Sequence, residues 1–336
     1  MSGDSQFARA RHRLRQAAPY LAALGIVVAL LLLASPGRLA ETARRFDVRY
    51  APLLALLSFA YYLLQGVRWR PLLRAAGIRI GFGTAVLLNF AGQAFGLLPG
   101  GELARCVLVS EVSRGGVGDA AAAVTVQELI YTLLITVVAV PGALHWWQAT
   151  LGVLASLVAV GTAITVLTVA PLFEAAERLV GRLPWVRRYR GDLEELRDST
   201  VRLLRRRDTL SWSALSAVQV LVTITMFWLS VQAVAPGEIS YFQAALVYAV
   251  AHLAGGLSFS PGALGGFEAV CVGMLLAVGL PLAAAVAAAL IQRLSDKGLG
   301  TVYGSAAYLY ARRRYHLQNR HMVHHRRSRH GPQRAS

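Results

Sequence analysis

The residues best placed to do chemistry lie in two segments where a helix-breaking sequence runs straight into a carboxylate. They are Asn89-Phe-Ala-Gly-Gln-Ala-Phe-Gly-Leu-Leu-Pro-Gly-Gly-Glu102 and His252-Leu-Ala-Gly-Gly-Leu-Ser-Phe-Ser-Pro-Gly-Ala-Leu-Gly-Gly-Phe-Glu268. Each reads as Ala-Gly, a short apolar stretch, Pro-Gly, then Gly and Glu before a new helix. Pro99 and Pro261 remove a backbone donor, and Gly100, Gly101, Gly262, Gly265 and Gly266 loosen the helix, so backbone amides and carbonyls are freed. At membrane depth such groups persist only where protein or water satisfies them. A helix that restarts there offers the positive end of its dipole, which suits an anionic headgroup or Glu102 and Glu268 acting as caps. A carboxylate near the bilayer centre costs about 2.5–3.5 kcal/mol on insertion scales, so a pair of them points to a polar cavity.

Further polar residues interrupt the apolar stretches. Arg105 follows Glu102 by one helical turn, as a local ion pair or as a phosphate-binding arginine. Glu128, beside Gln127, breaks an otherwise apolar span and should face the bundle interior, with Arg105 or Arg293 as its partner. Arg293 lies in the last long apolar stretch, where Asp296 and Lys297 fit a snorkelling surface cluster better than a cavity lining. Asn89 and His252 occupy matching places in the two segments, where a helix–helix hydrogen bond is the ordinary use of a polar residue. Cys106 and Cys271 lie in apolar surroundings and read as buried free thiols. The sequence offers no metal-ligand cluster, nucleophile motif or nucleotide loop, so no catalytic residue, metal or cofactor is expected and the chain does not read as an enzyme.

These residues must be carried by membrane helices. The 336 residues are 56% hydrophobic and 15% charged, with a mean hydropathy of +0.50. Apolar runs near the ~20 residues of a spanning helix recur along the chain, which predicts an all-α polytopic transmembrane bundle of about six to eight spans. Residues 1–171 form a first membrane half with a broken helix over 82–113. Residues 172–210, with ten arginines against seven acidic residues, form a cytoplasmic amphipathic connector. Residues 211–311 form a second half with a broken helix over 241–279, and 312–336 form a basic tail. Arg68-Trp69-Arg70 reads as an interfacial anchor closing a span at Val67. Arginine-rich flanks place both termini in the cytoplasm, at the inner membrane, although Arg38, Arg44, Arg45 and Arg49 dissent. By that count the two broken regions are entered from opposite sides, the trace of an inverted repeat whose broken or re-entrant helices meet near the midplane. The formal charge of +17 holds the protein against anionic lipid and does not call for nucleic acid.

The sequence resembles the lysylphosphatidylglycerol synthase transmembrane-region, or flippase-like, membrane proteins. The residues that carry the likeness are Arg68-Trp69, Leu98-Pro-Gly-Gly-Glu-Leu-Ala-Arg105, the span with Glu128, Pro261-Gly-Ala-Leu-Gly-Gly-Phe-Glu268 and Ile291-Gln-Arg293. The resemblance implies a domain that moves lipid between leaflets, with Glu102, Arg105, Glu128, Glu268 and Arg293 lining the path. Its partners are then membrane lipids, with anionic headgroups, and a second copy or an envelope enzyme. The alternative is a membrane-embedded enzyme or accessory subunit in glycolipid, isoprenoid-lipid or aminoacyl-lipid metabolism.

Overall fold

In the computed structural model, the described residues are 25–317, apart from 27, 35, 45, 99–100, 114, 145–146, 181–189, 206 and 259–262. All regular structure among them is helical. After helical residues between 25 and 33 come α1 (Pro36–Arg44), α2 (Tyr50–Ala75), α3 (Phe82–Gln93) and α4 (Ala104–Ser113), the last entered through a 3-10 turn at Gly101–Leu103. There follow α5 (Val117–Leu144), α6 (Trp147–Thr168), α7 (Ala170–Val180), α8 (Arg190–Leu204) and α9 (Arg207–Gln232). The chain continues through α10 (Tyr241–Leu257), α11 (Gly266–Val278), α12 (Leu282–Arg293) and α13 (Leu299–Tyr315), with a π-helical turn at Leu294–Gly298 joining the last two.

The helices α2, α5, α6 and α9 are long and apolar enough to cross a membrane. At 26 and 28 residues, α2 and α5 run about 39 and 42 Å, well beyond a hydrocarbon core of ~30 Å. This is a multi-pass membrane protein. The chain before residue 25 and the tail beyond 317 lie outside the described residues.

The broken regions fold as two helical hairpins. In the first, α3 and α4 pack against each other. Near the tip a Cβ on Gly92 would lie 2.6 Å from the Arg105 Cβ, and at the base one on Gly115 would lie 3.0 Å from Ile78. At Gly92 only a hydrogen side chain lets the two backbones approach so closely. In the second, α10 starts on a capping box: the Ser240 hydroxyl accepts the Gln243 amide at 3.2 Å, and the Gln243 side chain accepts the Ser240 amide at 2.8 Å. Its partner α11 begins at Gly265, whose φ of 82° lies in the region that glycine alone adopts cheaply.

The contacts between elements obey a two-fold exchange. Pair α2 with α9, α3 with α10, α4 with α11, and α5 with the α12–α13 helix. Then α2 on α3 becomes α9 on α10, α4 on α5 becomes α11 on α12, and α10 on α5 becomes α3 on α13, each of which is present. Even the preceding helices obey it: α8 packs on α5 as α1 packs on α12. At the centre α2 and α9 pack against each other and run antiparallel. The Asp47 amide bonds the Ala233 carbonyl at 3.1 Å where α2 begins and α9 ends, while Arg68, late in α2, bonds Gln219 in the first half of α9. Related helices running in opposite directions are what an inverted repeat requires.

Two apolar cores result. One gathers Trp69, Leu73, Leu88, Cys106, Val109 and the alanines at the start of α5. The other gathers Ile135, Phe227, Leu246, Cys271, Leu275 and the alanines of α12. Each mixes helices from both halves.

The structure corrects one expectation at once. Arg68-Trp69-Arg70 does not close a span at an interface, because α2 runs on to Ala75 and Arg68 and Trp69 are 2% and 0% exposed. Packing under α3, α4 and α5 buries what the sequence alone reads as an anchor.

Candidate functional site

A buried polar cluster lies where α2, α3, α4, α5 and α9 meet. Its centre is Arg105, on the first turn of α4 and 1% exposed. One terminal nitrogen donates to Asn89 Oδ1 at 3.0 Å and Gln127 Oε1 at 3.5 Å, and the other to Glu128 Oε1 at 3.3 Å. The guanidinium also lies 5.4 Å from the centre of the Trp69 ring, a cation–π contact. Arg68 bonds the Gln219 side chain and the Gln127 carbonyl, the latter at 3.3 Å. Amides complete the shell: Asn89 donates to the Tyr62 carbonyl at 3.0 Å, Gln127 to the Gln65 carbonyl at 2.9 Å, and Gln93 to Gln65 Oε1 at 3.3 Å. The cluster is closed on most sides, but the Glu128 side chain is 44% exposed and marks its open edge.

A second charged pair stands at the other hairpin. Glu268, 3% exposed, accepts from Arg293 Nε at 2.6 Å and from the Gly265 amide at 2.7 Å. Arg293 also donates to the Ala263 carbonyl at 2.7 Å and lies 4.4 Å from the centre of the Phe267 ring. Ala263 holds a φ of 57°, unfavourable for an L-residue with a Cβ. That turn aims its carbonyl at Arg293, so loop strain and ion pair hold each other in place. A narrow apolar cleft lined by Leu30, Leu31, Val272, Val286 and Leu290 reaches Glu268.

The two pairs are built alike with their charges exchanged. In the first the cation sits on the short helix after the break and the carboxylate 23 residues on, along the next long helix. In the second the carboxylate sits on the short helix and the cation 25 residues on.

Of the residues singled out from sequence, Arg105 and Glu128 come together, as do Glu268 and Arg293. Glu268 is both cap and ion-pair member, so the two readings of it hold at once. Glu102 lies in the 3-10 turn, with its side chain outside the described residues, as are Pro99, Gly100, Pro261 and Gly262. Gly101 is buried against the Phe95 carbonyl, and a Cβ on Gly266 would lie 2.7 Å from the Ser258 Cβ. These two serve close packing rather than loosening. Asn89 bridges helices as expected, while His252 stacks on Tyr248 and meets Tyr131 edge-on. Cys106 and Cys271 are buried free thiols.

Sequence reasoning missed Arg68 as a member of the cluster. It also placed Asp296 at the surface, whereas Asp296 is half-buried and its carboxylate and carbonyl both accept from the Tyr62 hydroxyl, at 2.9 and 3.0 Å. The π-turn that rotates Asp296 toward α2 has no sequence signal of its own. Among the described residues no group of three or more His, Cys, Asp or Glu is placed to hold a metal.

Residues 20–304 match the family described as the lysylphosphatidylglycerol synthase TM region. The chain is also 24% identical over 326 residues to a UPF0104 membrane protein of Methanothermobacter thermautotrophicus, covering 86% of this chain and 94% of that one. No solved structure matches.

Proposed function

The chain belongs to the lysylphosphatidylglycerol synthase transmembrane-region family, and we propose from that premise that it moves a polar or anionic lipid between leaflets. One observation carries the reading: two arginine–carboxylate pairs at related places in the two halves, each with one member on the helix that follows a break, the Glu268–Arg293 pair buried and the other joining a buried Arg105 to Glu128 at the open edge. A buried ion pair stabilises a fold little, and often less than apolar side chains of the same volume. Two such arginine–carboxylate pairs inside a membrane bundle therefore call for a reason beyond folding, and a headgroup that must cross without meeting hydrocarbon supplies it.

In this mechanism the headgroup enters at the open edge beside Glu128 and exchanges with that carboxylate on Arg105. The acyl chains stay in lipid. The charge exchange between the pairs gives the headgroup a cation in each half. The protein acts in the cytoplasmic membrane with both termini inside, as a carrier and not an enzyme.

The test is transbilayer movement in vesicles holding the purified chain. Headgroup-labelled phosphatidylglycerol, phosphatidylethanolamine and a glycosyl diacylglycerol are offered in turn. At least one lipid should equilibrate faster than in protein-free vesicles, and none doing so ends the proposal.

A further inference from the structure

We propose that the Arg68–Arg105 cluster is a binding site for a phosphate group. The proposal rests on the reading above for where that phosphate comes from, a lipid headgroup, but not for the chemistry of the site.

Charge is the first argument. Among the described side chains two guanidiniums converge on Gln127, one on its carbonyl and one on its side chain, and a single carboxylate, Glu128, stands against them. Arg68 is 2% exposed and its hydrogen-bond partners are the neutral Gln219 and the Gln127 carbonyl. A buried cation held by neutral groups alone is costly, and a second anion is what the arrangement lacks.

Donor count is the second argument, and it is independent of charge. Arg105 Nε and Trp69 Nε1 are buried N–H groups without an acceptor, and the Arg105 guanidinium lies over the Trp69 ring. A cluster with spare donors calls for a ligand that only accepts. The oxygens of a phosphodiester or an ionised phosphomonoester do so, and two planar guanidiniums match them with paired hydrogen bonds that an ammonium cannot form.

Access is the third. Arg105 is sealed on the α3 side by the close approach at Gly92, so the exposed edge at Glu128 is where a ligand reaches it. A phosphate arriving there takes up Arg68 and the Arg105 Nε without first breaking the Arg105–Asn89 bond. Arg68 is then a ligand-binding residue.

The experiment measures the unfolding midpoint of the full chain in detergent during titration with dihexanoyl-phosphatidylglycerol, dihexanoylglycerol and inorganic phosphate. The phosphate-bearing lipid should raise the midpoint in a saturable way and the phosphate-free lipid should not. Arg68→Gln should weaken the apparent affinity at least about tenfold, the loss expected for one charge-assisted hydrogen bond. If Arg68→Gln fails to fold, Arg68→Lys keeps the charge without the fork and should still bind measurably more weakly. Equal stabilisation by dihexanoylglycerol, or an affinity unchanged in the folded Arg68 variant, overturns the site. Stabilisation by inorganic phosphate alone keeps the oxyanion site but removes the lipid as its source. Vesicles that move phosphate-free and phosphate-bearing lipids alike, with Arg68→Gln as fast as wild type, discard this site and leave the translocase reading standing.

Discussion

A buried ion pair is asymmetric in its energetics: losing one member leaves an uncompensated charge, whereas losing both leaves neutral groups. Glu268→Gln should therefore destabilise the protein by about 3–5 kcal/mol, with Arg293 left facing an amide, and Glu268→Gln with Arg293→Gln should recover most of that loss. Unfolding midpoints of the two variants in one detergent check this, and a double variant no more stable than the single one refutes it. The four residues of the two pairs were legible as charges in apolar stretches. The partner of Glu128 was narrowed to Arg105 or Arg293, of which the structure takes Arg105, whereas the pairing of Glu268 with Arg293 was not legible, because they stand 25 residues apart across an intervening turn. Arg68 was harder still: an Arg-Trp step after an apolar run gives the same signal at an interface as in a core, and only the helices packed over it decide.

At the scale of elements, the Pro-Gly breaks announced interrupted helices, and the hairpins are that interruption in space. With 12 residues α3 is about 18 Å long, too short to cross a core of ~30 Å, and the approach of Gly115 to Ile78 brings the end of α4 back to where α3 began. These lengths predict a re-entrant first hairpin. Leu97 lies at its tip and is exposed, and the native cysteines are buried and give little background. In intact vesicles, Leu97→Cys should resist a membrane-impermeant maleimide added to the side opposite the 78–81 and 115–116 loops. Fast labelling from that side would mean that the pair crosses. What the sequence did not show is how the glycines work, since the close approach at Gly92 depends on a neighbour thirteen residues away. Replacing Gly92 by Ala should push Arg105 off its partners and lower the midpoint, whereas the same change at Gly83, with open space around it, should not.

For the whole molecule, an exchange that maps the contacts of α2–α5 onto those of α9–α13 predicts that the two sets can trade roles, which is how inverted repeats alternate access to a central site. The tip of the first hairpin meets the second half where Phe95 packs edge-on against Tyr308, 5.1 Å between centroids. A disulfide between Phe95→Cys and Tyr308→Cys should stop lipid movement, and reduction should restore it; full cross-linking with no change in rate would mean that these surfaces do not part. The likeness of the two broken regions was legible from two short motifs, but the interlocking of the helices around them was not, because each core draws on helices from both parts of the chain. The most direct test of the account compares wild type with the Glu268→Gln, Arg293→Gln double variant in matched vesicles. The prediction is that wild type moves a headgroup-labelled lipid faster than protein-free vesicles, while the folded double variant falls to the protein-free rate. Equal rates for the two proteins would contradict the claim that the buried pairs form the path.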